Sequence, residues 1–159
     1  MASFAELISA YHTGPEALRR TVVGMSRQQL LARPVAGKWS TLEVVCHLAD
    51  FEPIQADRMK RIIAEEKPTL IGADENLFAA ALAYHERDLD EELTIIEQTR
   101  RQLVRILRTL PVEALARVGN HNERGPRTLE QLLTSSTEHI THHLKFIQEK
   151  RQALGLAPV

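Results

Sequence analysis

A chain of 159 residues with 43% hydrophobic and 26% charged side chains has the make-up of one soluble globular domain, which excludes a disordered or fibrous protein. Twenty basic against twenty-one acidic side chains leave a formal charge of −1, so the electrostatics call for neither nucleic acid nor an anionic membrane as partner. A lone cysteine, Cys46, rules out an internal disulfide framework; the opening MASFAELISAYH lacks the features of a signal peptide, and no run approaches the ~20 apolar residues of a membrane span, so a cytoplasmic protein is expected.

Strand signals are nearly absent: aromatics are 4%, alternating runs are missing, and good helix formers dominate. Four long helices are predicted within a single domain spanning residues 1–159. The first runs from Phe4 to Leu31, and the Gly14-Pro15 pair inside it predicts a kink or split there, because proline removes a helical hydrogen bond. Pro34 and Gly37 mark a loop before the second helix, which opens at Ser40. Ser40 and Glu43 form a capping box, in which each side chain satisfies an orphan backbone N–H. This helix is expected to run to Glu66. The third region covers Glu75 to Leu110, with the acidic stretch ERDLDEE marking an interruption near Asp88. Its leucines and isoleucines, from Leu93 to Leu110, recur at helical spacing and give one buried stripe. Pro111 ends it, and Gly119 to Arg127 reads as a polar loop. The last helix opens with the Thr128–Gln131 capping box and closes at Gly155. Amphipathic helices joined by short connections imply an α-helical bundle.

Three of the seven histidines fall in the stretch STEHITHHLKFI, from Ser136 to Ile147. At ~100° per residue, Leu129, Leu132, Ser136, His139 and Ile147 lie within roughly 40° of His143, so His139 and His143 belong to the inward stripe. His142 points ~100° away, at its margin. A histidine pair one turn apart can present two ring nitrogens to one ion, but it can equally be a hydrogen-bonded core pair. A catalytic zinc-type site needs a third protein ligand and an open position. His47 is the best placed candidate, mid-helix in TLEVVCHLADFE, on a face that also carries Glu43, Asp50, Phe51, Ile54 and Arg58. The two carboxylates could support a ligand; Glu43 could equally serve only its cap, and Asp50 only solvent.

The segment RPVAGKWSTLEVVCHLADFE, followed near the C-terminus by EHITHHLKFI, resembles the DinB/YfiT-like superfamily of metalloenzymes. The lead-in RP-x-x-GKWS, the H-L-A-D-x-E helix and the H-x-x-HH pattern occur in order, and the resemblance runs from about Tyr11 to Gly155. It implies an antiparallel four-helix bundle, commonly a homodimer, binding a divalent metal, zinc or nickel most often. Carried over position by position, the ligands are His47, His139 and His143.

The resemblance further implies a small-molecule substrate, with hydrolysis in some relatives and low-molecular-weight thiol transfer in others. A non-catalytic metal-binding or stress-associated bundle is the alternative. An enzyme needs a proton-transfer group near its metal, and Glu43, Asp50 and His121 are the candidates. The default for His121, in the polar loop, is an ordinary surface histidine. His12, His85 and His142 are assigned no part in the site. Trp39 is read as packing on the first turn of the second helix, and Cys46, ~100° from His47 on the wheel, as a buried inert thiol.

Overall fold

The computed structural model describes residues 3–159. In chain order they form α1 (Phe4–Val22), α2 (Arg27–Leu31), α3 (Thr41–Ala64), β1 (Thr69–Leu70), α4 (Glu75–Ala81), a 3-10 turn (Tyr84–Glu86), α5 (Leu89–Leu107), a second 3-10 turn (Val112–Ala116), β2 (Val118–His121), β3 (Gly125–Thr128) and α6 (Leu129–Ala153). The four-helix bundle is made of α1, α3, α5 and α6. Helix α1 packs against α5 and α6, and α3 packs against the same two, so α1 and α3 sit across a diagonal.

Two apolar clusters give the helix directions. One joins Ile8 of α1 and Leu129, Leu132 and Leu133 of α6 to Met59 and Ile62 of α3 and Leu103 and Leu107 of α5. The other joins Leu18 and Val22 to Ile140 and Ile147, and all four to Val45, Leu48, Leu93 and Ile96. Hence α1 and α6 run one way, and α3 and α5 run the other. Neighbours α3 and α5 are parallel, which requires the connection between them to travel back along the bundle; β1 and α4 lie on that return.

The capping boxes at Ser40–Glu43 and Thr128–Gln131 are both present and set the starts of α3 and α6. The third helical region is interrupted as its acidic stretch suggests, with Asp88 capping α5. The first region does split, but at a different place. Helix α1 continues through Pro15 and ends at Val22, and Gly24, with φ of 78°, makes the turn into α2. Proline leaves the carbonyl four residues earlier without its helical donor. That carbonyl, on Tyr11, receives Arg100 Nη1 at 2.9 Å instead, so the helix is not broken there.

The segment Gly119–Arg127 is also not a plain loop. Strand β2 pairs antiparallel with β3 and parallel with β1, giving a three-stranded sheet in the order β1-β2-β3. Strands of two to four residues are too short to show an alternating pattern, which is why the sequence reads as a loop there. Trp39 is half-buried, packs with Val44 against the second cluster, and so acts as the expected staple.

Candidate metal centre

The cap at Ser40 fixes the phase of α3, so that His47 arrives two turns in, on the face turned to α6. From α6, His139 and His143 project towards it one turn apart. His47 Nε2 and His139 Nε2 are 2.9 Å apart. Ring centroids are 4.9 Å from His47 to His139, 4.9 Å from His47 to His143, and 4.8 Å between the α6 pair. Each imidazole offers one ring nitrogen lying within 4.8 Å of the other two, a spacing at which one ion can be held. Apolar rings back the cluster: Phe51 lies 4.6 Å and Trp39 5.3 Å from the His47 ring.

Burial holds all three imidazoles in the neutral form, which is the form that ligates metal. The pKa of His47 is pushed down to about 4, first by burial and then by His143, with Asp50 opposing. Those of His139 and His143 are pushed down to about 3, again first by burial and then by the neighbouring histidines. Among the described residues, His47 Nδ1 and His143 Nδ1 are buried with no hydrogen-bond partner.

His47 and His139 form part of the wall of a cavity of about 420 Å³. Phe51, Arg58, His121 and His142 also line it, and Glu75, Glu123 and Glu138 stand at its exposed rim. His142 is solvent-exposed and contributes to the mouth, its ring 4.9 Å from Phe146.

The candidate proton-transfer groups fare differently. Glu43 accepts from Ser40 N at 2.7 Å and from Arg33 Nε at 3.0 Å, and it does not line the cavity. Asp50 accepts from Arg87 Nη1 at 2.9 Å and Nη2 at 2.8 Å, and it also lies outside the cavity wall. The structure therefore commits both carboxylates to arginines. His121 is the one brought to the cavity. It is not a surface histidine: only 6% of it is exposed, because β2 tucks its last residue against β1 and α3. Its Nδ1 accepts the Glu123 N–H at 3.2 Å. Cys46 is buried, its Sγ 3.6 Å from the Tyr84 carbonyl, and stays apart from the cluster.

Sequence reasoning missed a buried polar layer beside the histidines. Arg100, on α5, donates to Glu52 Oε2 at 2.9 Å, to the Ser136 carbonyl at 2.6 Å and to the Tyr11 carbonyl, while its guanidinium lies 4.2 Å from the Tyr11 ring centroid. Tyr11 in turn donates its hydroxyl to Glu52 Oε1. One residue from each bundle helix meets here, between the two apolar clusters, and the ties to Ser136 and Glu52 sit within a turn or so of His139 and His47. Charged residues at helical positions are usually solvated, so only the place of Arg100 on the stripe of Leu93, Ile96, Leu103 and Leu107 hinted at its burial.

Comparison with known proteins agrees with this geometry. The chain is 28% identical over 142 residues to a protein of Oceanobacillus iheyensis named "Putative metal-dependent hydrolase", covering 89% of this chain and 82% of that one. A Bacillus cereus protein of the same name is 26% identical over 141 residues, covering 89% and 81%. Among solved structures, the fold matches YfiT from Bacillus subtilis, described as "a probable metal-dependent hydrolase with an unusual four-helix bundle topology", with a TM-score of 0.90 and 26% identity over 97% of this chain and 89% of that one. The family model of the DinB superfamily matches residues 10–147, and with the bundle and its histidine cluster in place, the chain belongs to that superfamily.

Proposed function

We propose that this protein is a metal-dependent enzyme, in which His47, His139 and His143 hold one divalent ion, zinc or nickel, at the floor of an open cavity that admits a small molecule. The observation that carries the reading is the convergence of three neutral imidazoles on one point, two of them, His47 and His139, in the wall of a 420 Å³ cavity. A structural zinc site is closed by four protein ligands, whereas here three nitrogens meet beside open space. The donor set suits the group: neutral imidazoles favour zinc, nickel or copper.

Bound at these nitrogens, a divalent ion supplies Lewis acidity sufficient to bring water or a thiol to its anionic form near neutral pH. The chain itself does the rest. Phe51 and Trp39 keep water from one side of the cluster, the Arg100–Glu52 pair stiffens the helices that present it, and the cavity orients the substrate. Hydrolysis is the reaction class favoured by the relatives' names, with transfer involving a low-molecular-weight thiol as the finer alternative and a homodimer as the assembly. The test is to load the purified chain with zinc or nickel and screen ester, amide and thiol-transfer substrates. Turnover that disappears in His47→Ala supports the reading; a loaded protein inert to every class, or turnover surviving that substitution, contradicts it.

A further inference from the structure

The end of the cavity away from the histidine cluster has a distinct chemistry. Arg58, on α3, is only 7% exposed, yet its hydrogen bonds go to neutral acceptors: the Ile71 carbonyl, at 3.1 Å from Nε and also from Nη2, and Gln55 Oε1 at 3.1 Å from Nη1. Among the described residues it has no ion-pair partner, and two of its five N–H groups are unused by these three bonds. A buried charge is usually paired. Arg124, on the β2–β3 turn, lines the same cavity from its solvent-exposed side and makes no hydrogen bond or ion pair among the described residues.

His121 lines the same cavity, close enough to feel both charges. Because its Nδ1 accepts the backbone N–H of Glu123, the proton of the neutral ring sits on Nε2. No described residue accepts from Nε2. His121 is held neutral, its pKa lowered first by burial and then by Arg58 and Arg124, with Glu123 opposing. A neutral imidazole whose free nitrogen carries the proton is a hydrogen-bond donor, not a base. The acidic residues of the cavity, Glu75, Glu123 and Glu138, are all solvent-exposed, where water and salt screen them, so they do not cancel a buried guanidinium.

We propose that the substrate of the three-histidine site carries an oxyanion group, a carboxylate or a phosphate, which Arg58 and Arg124 bind at the far end of the cavity and to which His121 donates its Nε2–H. This rests on the reading of the cavity as a substrate site. It replaces the role of acid or base for His121 with one of recognition. It also accounts for a buried arginine without a counter-charge and a locked histidine tautomer that line one cavity.

The test uses the full chain titrated calorimetrically with succinate and, separately, with inorganic phosphate, at neutral pH and low salt. Wild type and His143→Ala are both expected to bind one of the two anions at millimolar concentration, because the subsite lies apart from the metal ligand. Arg124→Gln and His121→Phe should each weaken binding by about tenfold. Arg58→Gln carries a risk of misfolding, since Arg58 holds the Ile71 carbonyl, so the decision rests on the other two variants. Succinate binding alone identifies a carboxylate, and phosphate binding alone a phosphate. Absence of binding by either anion, or full binding in both variants, overturns the proposal. Binding confined to metal-loaded wild type and lost in His143→Ala overturns it too, while upholding the metal site. Nitrogen-15 spectra of the His121 ring give a second readout: a bare Nδ1 and a protonated Nε2 are expected, and the opposite tautomer contradicts the donor role.

Discussion

His47 and His139, separated by 92 positions in the chain, meet with their Nε2 atoms 2.9 Å apart across the seam between α3 and α6. Two neutral imidazoles at this distance form one N–H···N bond, one Nε2 donating and the other accepting, and His143 adds a third ring beside it. An ion shared by the three would tie α3 to α6. A ligand that binds only the folded state adds stability by mass action, about 4 kcal/mol at ~1,000 times its Kd. Chelation should therefore lower Tm by roughly 8–16 °C for a domain of this size. The same treatment of His47→Ala should leave Tm unchanged, as scanning calorimetry would show.

Gly14 is mid-helix, where alanine ordinarily stabilises by about 0.5–1 kcal/mol. Here the sign should reverse. A Cβ at Gly14 would fall 2.7 Å from Arg100 Nη1 and 3.4 Å from Ile140 Cδ1. Arg100 cannot yield, because it is fully buried and bound to two carbonyls and Glu52. Gly14→Ala should cost about 1–3 kcal/mol in urea denaturation, as overpacking does.

Removing one partner of the buried pair should cost more. Glu52→Gln leaves the Arg100 guanidinium without its counter-charge in the interior, and a loss of about 3–5 kcal/mol is expected. Urea titration of this variant beside Gly14→Ala would show whether the polar layer is one unit: the double variant should then lose less than the sum of the two.

Part of this was legible in the chain and part was not, for physical reasons. The wheel placed His139 and His143 inward and His142 outward, because helical phase is set by spacing alone. The capping boxes at Ser40 and Thr128 were legible because their partners are three residues apart. The Glu52–Arg100 pair was not, since its members are 48 positions apart and buried charges look no different from solvated ones in a sequence. In the sequence His121 looks like a surface residue, because its burial depends on β1, a two-residue strand that pairs with β2 from far along the chain. Pro15 suggested a break that Arg100 prevents by taking over the Tyr11 carbonyl.

Glu43 gives a pH test of the α3 cap. Burial raises its pKa, but the hydrogen bonds from Arg33 and from Ser40 outweigh that and hold it below the ordinary carboxylate range. A group depressed in the folded state contributes stability above its unfolded pKa and loses it as pH falls through the folded value. Glu43→Gln keeps an acceptor for the Ser40 N–H and removes the charge. It should destabilise by roughly 0.5–1 kcal/mol at neutral pH, less in high salt, with the difference from wild type shrinking as pH falls through and below the ordinary carboxylate range.

Cys46 should be inert in the native protein. Burial pushes its thiol pKa up to about 12, so almost no thiolate exists at neutral pH. Mass spectrometry after iodoacetamide treatment is expected to show an unmodified folded chain and one adduct per chain in urea. Rapid labelling of the folded protein would contradict the packing of Cys46 under Tyr84.

His47, His139 and His143 are expected to bind one divalent ion, and elemental analysis of the chain purified without a histidine tag tests this most directly. About one zinc or nickel ion per chain is expected, with His143→Ala losing it while keeping its helical circular dichroism. Full retention of the ion by that folded variant, or a wild-type chain that takes up no metal after loading, would contradict the account.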